Sequence, residues 1–110
     1  MASLGDGGAG RLEISTAVEP EGVAVIRLVG DVDISNAPRV RDTVTAVAEA
    51  RPQRLVFDLA DLTFIDSAGL SVLVAATGAL EDVRLRAPSA IVGRVIELTG
   101  LTDVLPTESR

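Results

Sequence analysis

The chain has 110 residues, 47% of them hydrophobic, with ten basic and sixteen acidic side chains and a net charge of −6. That length builds one ordinary core, and the charge disfavours phosphate backbones and anionic membrane surfaces as partners. Cysteine, histidine and lysine are all absent, which removes disulfides, thiolate chemistry, histidine triads and metal sites, Schiff-base and Ser–Lys catalysis, and the Walker A loop.

Residues 1–10, MASLGDGGAG, read as a flexible tail, with neither the basic start nor the apolar core of a signal peptide. Gly5, Gly7 and Gly10 fit a G-x-G-x-x-G pattern, but no strand precedes them and no helix follows, so the dinucleotide reading lacks its context. No apolar run approaches the roughly twenty residues that span a bilayer. A cytoplasmic protein is expected.

From Leu12 the pattern alternates. Leu12, Ile14, Thr16 and Val18 fall on one side and Glu13, Ser15 and Glu19 on the other, which predicts a half-buried strand. Pro20 and Gly22 in EPEG predict a turn, and VAVIRLVG a second strand antiparallel to the first. The polar stretch GDVDISNAP reads as a loop entering a helix, with Ser35 or Asn36 as N-cap and Pro38 in the first turn. Val40, Val44, Val47 and Ala48 then make one apolar stripe.

ARPQ ends that helix, and LVFDL is expected as a central strand, with ADLTFID as the link to the next helix. Leu70, Leu73, Val74 and Thr77 repeat at helical spacing from Ser67, with Gly78 suited to the position just past the end. Val83 and Leu85 alternate with Arg84 and Arg86 in a further strand. A third helix follows from Pro88 or Ser89, with Val92, Val95, Ile96 and Thr99 on its buried side and a Schellman ending at Gly100 and Leu101. DVLP is expected as a short edge strand, and the arginines as ordinary scattered surface charge. The order β-β-α-β-α-β-α predicts an α/β domain over residues 11–110, with a mixed sheet of four to five strands and helices mostly on one face.

The chemistry concentrates at Asp66 and Ser67, where strand meets helix. Either side chain can accept from the unpaired first N–H groups, so plain capping accounts for one of them. Ala68 and Gly69 are small, and glycine in a first turn costs about 1 kcal/mol relative to alanine, so its bareness is read as making room for a close approach. Ser67 would stand on an uncrowded ledge. A phosphoryl group there would add about −1.5 to −2 charge, facing the positive helix end but opposed by Asp66. The fold should tolerate it while a partner packed on the ledge would not.

The segments GDVDISNAPRVR, LVFDLADLTFIDSAGLSVL and PSAIVGRVIELTGLTDVL resemble successive parts of a STAS domain of the anti-sigma factor antagonist family, and FIDSAGL is the most specific of them. The resemblance implies a protein without catalytic activity or cofactor. Unmodified, it would bind an anti-sigma factor that is also a serine kinase and so free a sigma factor. Phosphorylation would end binding and a serine phosphatase would restore it. The implied phosphoacceptor is Ser67, and the implied partner surface comprises Asp31, Asp33, Asp66, Ala68, Gly69 and Leu70, with Gly30 in the same loop. Ser71, inside the helix, is a weaker candidate for modification.

Two other readings compete. A phosphorylation-independent STAS module could bind a nucleotide or another anion at the helix N–H groups of the same ledge, as a sensor or scaffold. A receiver-type aspartyl-phosphate enzyme would need Asp58, Asp61 and Asp66 to converge on Mg²⁺ and a late lysine, which is missing.

Overall fold

The computed structural model describes residues 11–108, so the expectation for the tail lies outside the described residues. Strand β1 (Leu12–Glu19) turns through Pro20–Gly22 into β2 (Val23–Val32), followed by α1 (Ala37–Glu49), β3 (Arg54–Asp58) and β4 (Leu62–Ile65). Helix α2 (Ser67–Ala79), β5 (Val83–Arg86) and α3 (Ala90–Leu98) complete the domain. The sheet runs β1-β2-β3-β5, antiparallel at β1/β2 and parallel elsewhere, and β4 pairs in parallel with the far end of β2. This is the expected α/β domain with a mixed five-stranded sheet.

The alternation of side chains sorts the strands into two faces. Leu12, Ala24, Ile26, Leu28, Leu55, Phe57, Val83 and Leu85 join Val40 and Val44 of α1, Leu70, Leu73 and Ala76 of α2, and Val92 and Ile96 of α3 in one hydrophobic core. All three helices therefore pack on the same face of the sheet. Helix α3 ends as expected: Gly100 takes φ 76°, its N–H donates to Glu97 O, and Leu101 N donates to Ile96 O at 3.1 Å.

The opposite face is closed differently. Val25 and Val56 lie on it, paired across β2 and β3, yet are 6% and 0% exposed. Arg86 on β5 reaches Glu19 at the end of β1, with nitrogen–oxygen contacts of 2.9 and 3.0 Å, and also pairs with Glu108. This contact crosses the two central strands on the side of those valines. Arg54 and Arg84 share Asp82, each at 2.9 Å, and Arg27 pairs with Asp58 and Asp61. Four of the ten arginines, Arg27, Arg54, Arg84 and Arg86, are thus organised into ion pairs over the second face, where scattered charge was expected. Spacing along one strand cannot show which charges meet across several.

Four local expectations are corrected. ADLTFID is not a simple link, because Leu62–Ile65 is a strand in register with Gly30–Val32. For the same reason Asp31 sits in β2 and not in a loop. Gly78 lies inside α2, which ends one residue later with its cap N–H on Ala76 O, so no left-handed terminus is needed. DVLP forms turns instead of a strand. The edge of β5 is met slightly later, where Leu85 N donates to Pro106 O and Glu108 N to Leu85 O, both at 2.8 Å. The buried side of β1 also fades along the strand, leaving Val18 83% exposed.

The change of partner along β2 rests on Gly30. Register shifts between Gly30 and Asp31, and Gly30 takes φ 108°, a region that side chains rarely adopt. A Cβ there would lie 2.3 Å from the Arg11 carbonyl oxygen, a backbone atom with little freedom to withdraw. Gly30→Ala should therefore lower stability by about 2–4 kcal/mol, combining backbone strain with overpacking. Urea unfolding measures it, and a loss below about 0.5 kcal/mol, as for an ordinary surface change, would contradict the clash.

The ion pairs predict a pH dependence. The hydrogen bond from Arg86 holds the Glu19 carboxyl below its ordinary range. Burial pushes Asp82 up, but hydrogen bonds from Arg54 and Arg84 outweigh it and leave that carboxyl lowered as well. Groups with depressed folded-state values stabilise above their unfolded pKa, about 4, and lose that contribution as pH falls through the folded value. Arg86→Met should lower the thermal midpoint at pH 7, with the deficit shrinking as pH falls below about 4. A deficit independent of pH would assign the role of Arg86 to packing alone.

Candidate functional site

Strands β2 and β4 run parallel and end together at the pair Val32 and Ile65, with Asp66 N donating to Val32 O at 3.1 Å. The residues that follow, Asp33 and Asp66, therefore emerge at one end of the sheet. Two segments 33 residues apart in sequence are brought side by side there.

Asp66 is the N-cap of α2, which decides between the two expected caps. Its Oδ1 accepts from Gly69 N at 3.0 Å, and its carbonyl accepts from Leu70 N at 2.9 Å. Ser67 is the first residue of the helix, exposed, and its hydroxyl makes no hydrogen bond among the described residues. Ser71 is also exposed, but its Oγ donates to Ser67 O at 2.9 Å. Of the two hydroxyls, Ser67 is the one available for chemistry. Beyond them the exposed positions of α2 are Ala75, Gly78 and Ala79, so the outer side of the helix presents only small side chains.

The acidic loop is built around Asn36, the buried polar residue of the region. Its Oδ1 accepts from Asp33 N at 2.9 Å and its Nδ2 donates to Asp31 O at 3.0 Å, so its side chain binds the loop and not the N-terminus of α1. Asp33 in turn accepts from Ser35 N at 2.9 Å and from the Ser35 hydroxyl, which holds its carboxyl below the ordinary range. Asp31 accepts from Thr63 Oγ1 on β4 at 2.7 Å. None of the described ion pairs includes Asp31, Asp33 or Asp66. Three carboxylates without a cationic partner among the described residues thus lie at the end of the sheet where Ser67 stands.

The remaining expected site residues lie beneath this surface or at its margin. Ala68 is half-buried, while Gly69 and Leu70 are buried. A Cβ on Gly69 would lie 2.7 Å from both Ile65 Cγ1 and Val32 Cγ1. The room that Gly69 provides is therefore used inside the molecule, to seat α2 on the ends of β2 and β4. It does not form the bare ledge expected from the sequence. Asp58 and Asp61 turn to Arg27, so Asp58, Asp61 and Asp66 do not converge, and no group of three acids suited to a metal ion occurs among the described residues.

Two apolar residues at this end were not expected. Ile34, between Asp33 and Ser35, is 78% exposed, and Phe64, paired with Asp31, is 48% exposed. A lone isoleucine inside the polar run GDVDISNAP was the available signal. Phe64 reads as core until β4 is known to be an edge strand.

A family model described as the STAS domain matches residues 15–110. The chain is 30% identical to the anti-sigma-F factor antagonist RsfB of Mycobacterium tuberculosis over 89 residues, 78% of this chain and 73% of that protein. The chain belongs to the STAS domain family of anti-sigma factor antagonists. The crystal structure of an anti-sigma factor antagonist from Mycobacterium paratuberculosis superposes with a TM-score of 0.77 at 32% identity, covering 89% of this chain and 87% of that one. SpoIIAA of Bacillus in its unphosphorylated form has the same fold, with a TM-score of 0.75 at 20% identity over 89% and 90% of the two chains. In this STAS domain no described helix is long and apolar enough to cross a membrane.

The packing at Gly69 has a measurable cost. Gly69→Ala should gain about 1 kcal/mol of helix propensity but lose about 1–3 kcal/mol to overpacking against Val32 and Ile65. A net loss is expected in urea unfolding, and a stabilised variant would show that the contact is soft.

Proposed function

We propose that this STAS domain is an anti-sigma factor antagonist switched by phosphorylation at Ser67. Unmodified, it binds an anti-sigma factor that is also a serine kinase and draws it from a sigma factor. The kinase phosphorylates Ser67 and binding ends, and a serine phosphatase returns the domain to its binding form. The observation that carries this reading is the exposed hydroxyl at the first position of α2, unengaged among the described residues, beside three carboxylates that have no cationic partner among those residues.

The physical consequences of modification support a switch at the surface. Asp66 Oδ1 already serves Gly69 N, so a phosphoryl group on Ser67 would not have to displace the cap. The positive end of the helix favours the added charge by about 0.3–1 kcal/mol, which the nearby carboxylates oppose. The internal balance is close to even, so the fold need not change. A partner meeting this surface instead encounters a bulky group of about −1.5 to −2 charge. Asp31, Asp33 and Asp66 supply the electrostatic side of the partner surface and call for a basic complement. Ala68 and the exposed small residues of α2 allow close approach, while Ile34 and Phe64 supply apolar area. Gly69 and Leu70 contribute by holding the helix in place.

The test is a binding assay against the kinase encoded by the same organism. Ser67→Asp should abolish binding, and Ser67→Ala should bind like wild type while accepting no phosphate. Wild-type affinity in Ser67→Asp would sink the switch. Saturable shifts of the Ser67 to Leu70 amides on nucleotide titration, without any protein partner, would favour the sensor reading instead.

A further inference from the structure

The edges of the sheet are treated unequally. That of β5 is covered by residues 106–108, and β4 is short, with Leu62 O accepting from Ser89 Oγ at 2.9 Å. Strand β1 is eight residues long and lies at the outer edge of the sheet, without proline, lysine or a register shift against β2. Such an edge is a template for another strand unless something blunts it.

Hydrogen-bond alternation shows which groups are open. Asp31 N donates to Arg11 O at 2.8 Å, so the odd-numbered residues of β1 bond to β2 and the even-numbered ones point outward. Consistently, Leu12 O is free to accept from Arg39 Nη1 at 3.2 Å, leaving that carbonyl a second lone pair. Beyond Leu12, the outward groups of Ile14, Thr16 and Val18 have no backbone partner among the described residues, and Ile14, Ser15, Thr16, Arg39, Asp42 and Thr43 line a shallow cleft beside them.

We propose that this edge pairs antiparallel with β1 of a second copy, giving a two-fold dimer with one continuous sheet. Charge selects the register. Only even-numbered residues can exchange bonds, so the two-fold axis must pass beside a β1 residue. Centred on Thr16, the pairing sets Glu13 against Glu19 of the second copy; centred on Ile14, it pairs only residues 12–16 of the two strands. Centred on Ser15, it uses the whole strand: Leu12 faces Val18, Ile14 faces Thr16, Glu13 faces Ala17, and Arg11 faces Glu19 of the second copy. Like charges are avoided and opposite charges meet. The Ser67 surface lies at β4, on the other side of β2, so both copies keep it open.

Because the chain has no cysteine, one introduced thiol reports the register. Facing Ser15 residues would form a non-hydrogen-bonded pair with Cα atoms about 4.5 Å apart, within disulfide range. In the full chain, Ser15→Cys should oxidise to a covalent dimer at least about tenfold faster than Glu13→Cys, whose facing copies would lie diagonally apart. Sedimentation of the wild type across a concentration series should show a monomer–dimer equilibrium. Thr16→Pro, which removes an outward donor and leaves the β1–β2 ladder whole, should be monomeric, and Arg11→Glu should weaken the dimer roughly tenfold. Circular dichroism would check that both variants fold, and if Thr16→Pro does not, Arg11→Glu decides. A monomer at every concentration, as when residues 1–10 of the same chain occupy the edge, overturns the proposal. So does an assembly larger than a dimer, a dimer indifferent to both variants, or cross-linking no faster at position 15 than at position 13.

Discussion

The arrangement depends on one residue without a side chain at the point where β2 changes partner. Gly30 brings its Cα against the Arg11 carbonyl and donates its N–H to Asp61 O at 3.1 Å, so β1, β2 and the start of β4 are joined at a single backbone crossing. The first half of β2 pairs with β3 and the second half with β4. Without that crossing β4 would have no strand to join, and α2 would not begin where it does. Asp31 and Asp33 are delivered to the site by the same bulge that delivers Ser67.

Small residues at two depths play different parts. Gly69 works inside, where Val32 and Ile65 fill the space that a methyl group would need. Ser67, Ser71, Ala75, Gly78 and Ala79 work outside, leaving α2 smooth. A helix buried on most sides and bare on the remaining one is easily approached. Such a surface suits the proposed switch, in which one added group changes what can dock while the fold stays as it is.

The two faces of the sheet are closed by different physics. Helices cover one with apolar side chains. Over the other, arginine–carboxylate pairs lie across Val25 and Val56, and their guanidinium groups remain charged at any pH the protein meets. Surface ion pairs are worth little singly, but these are linked, with Arg86 holding two carboxylates and Asp82 two arginines. The acid side of the pH scale is where that closure fails.

Local pattern determined much of this protein. Period-two and helical repeats placed every helix and four of the five strands, Gly100 and Leu101 marked a true Schellman end, and FIDSAGL pointed to the exposed serine at a helix start. These features arise within a few residues, where steric preference and capping act. What the tertiary structure decided arises between distant segments. Strand β4 exists because Gly30–Val32 offers it an edge, Gly69 is needed because Val32 lies beneath it, and Asn36 is spent on binding Asp31 and Asp33. The meeting of Arg86 with Glu19 across 67 positions follows from the order of strands in the sheet. Spacing along the chain records which residues can form an element; only packing settles which elements meet, and the surface at Ser67 is made where two of them end together.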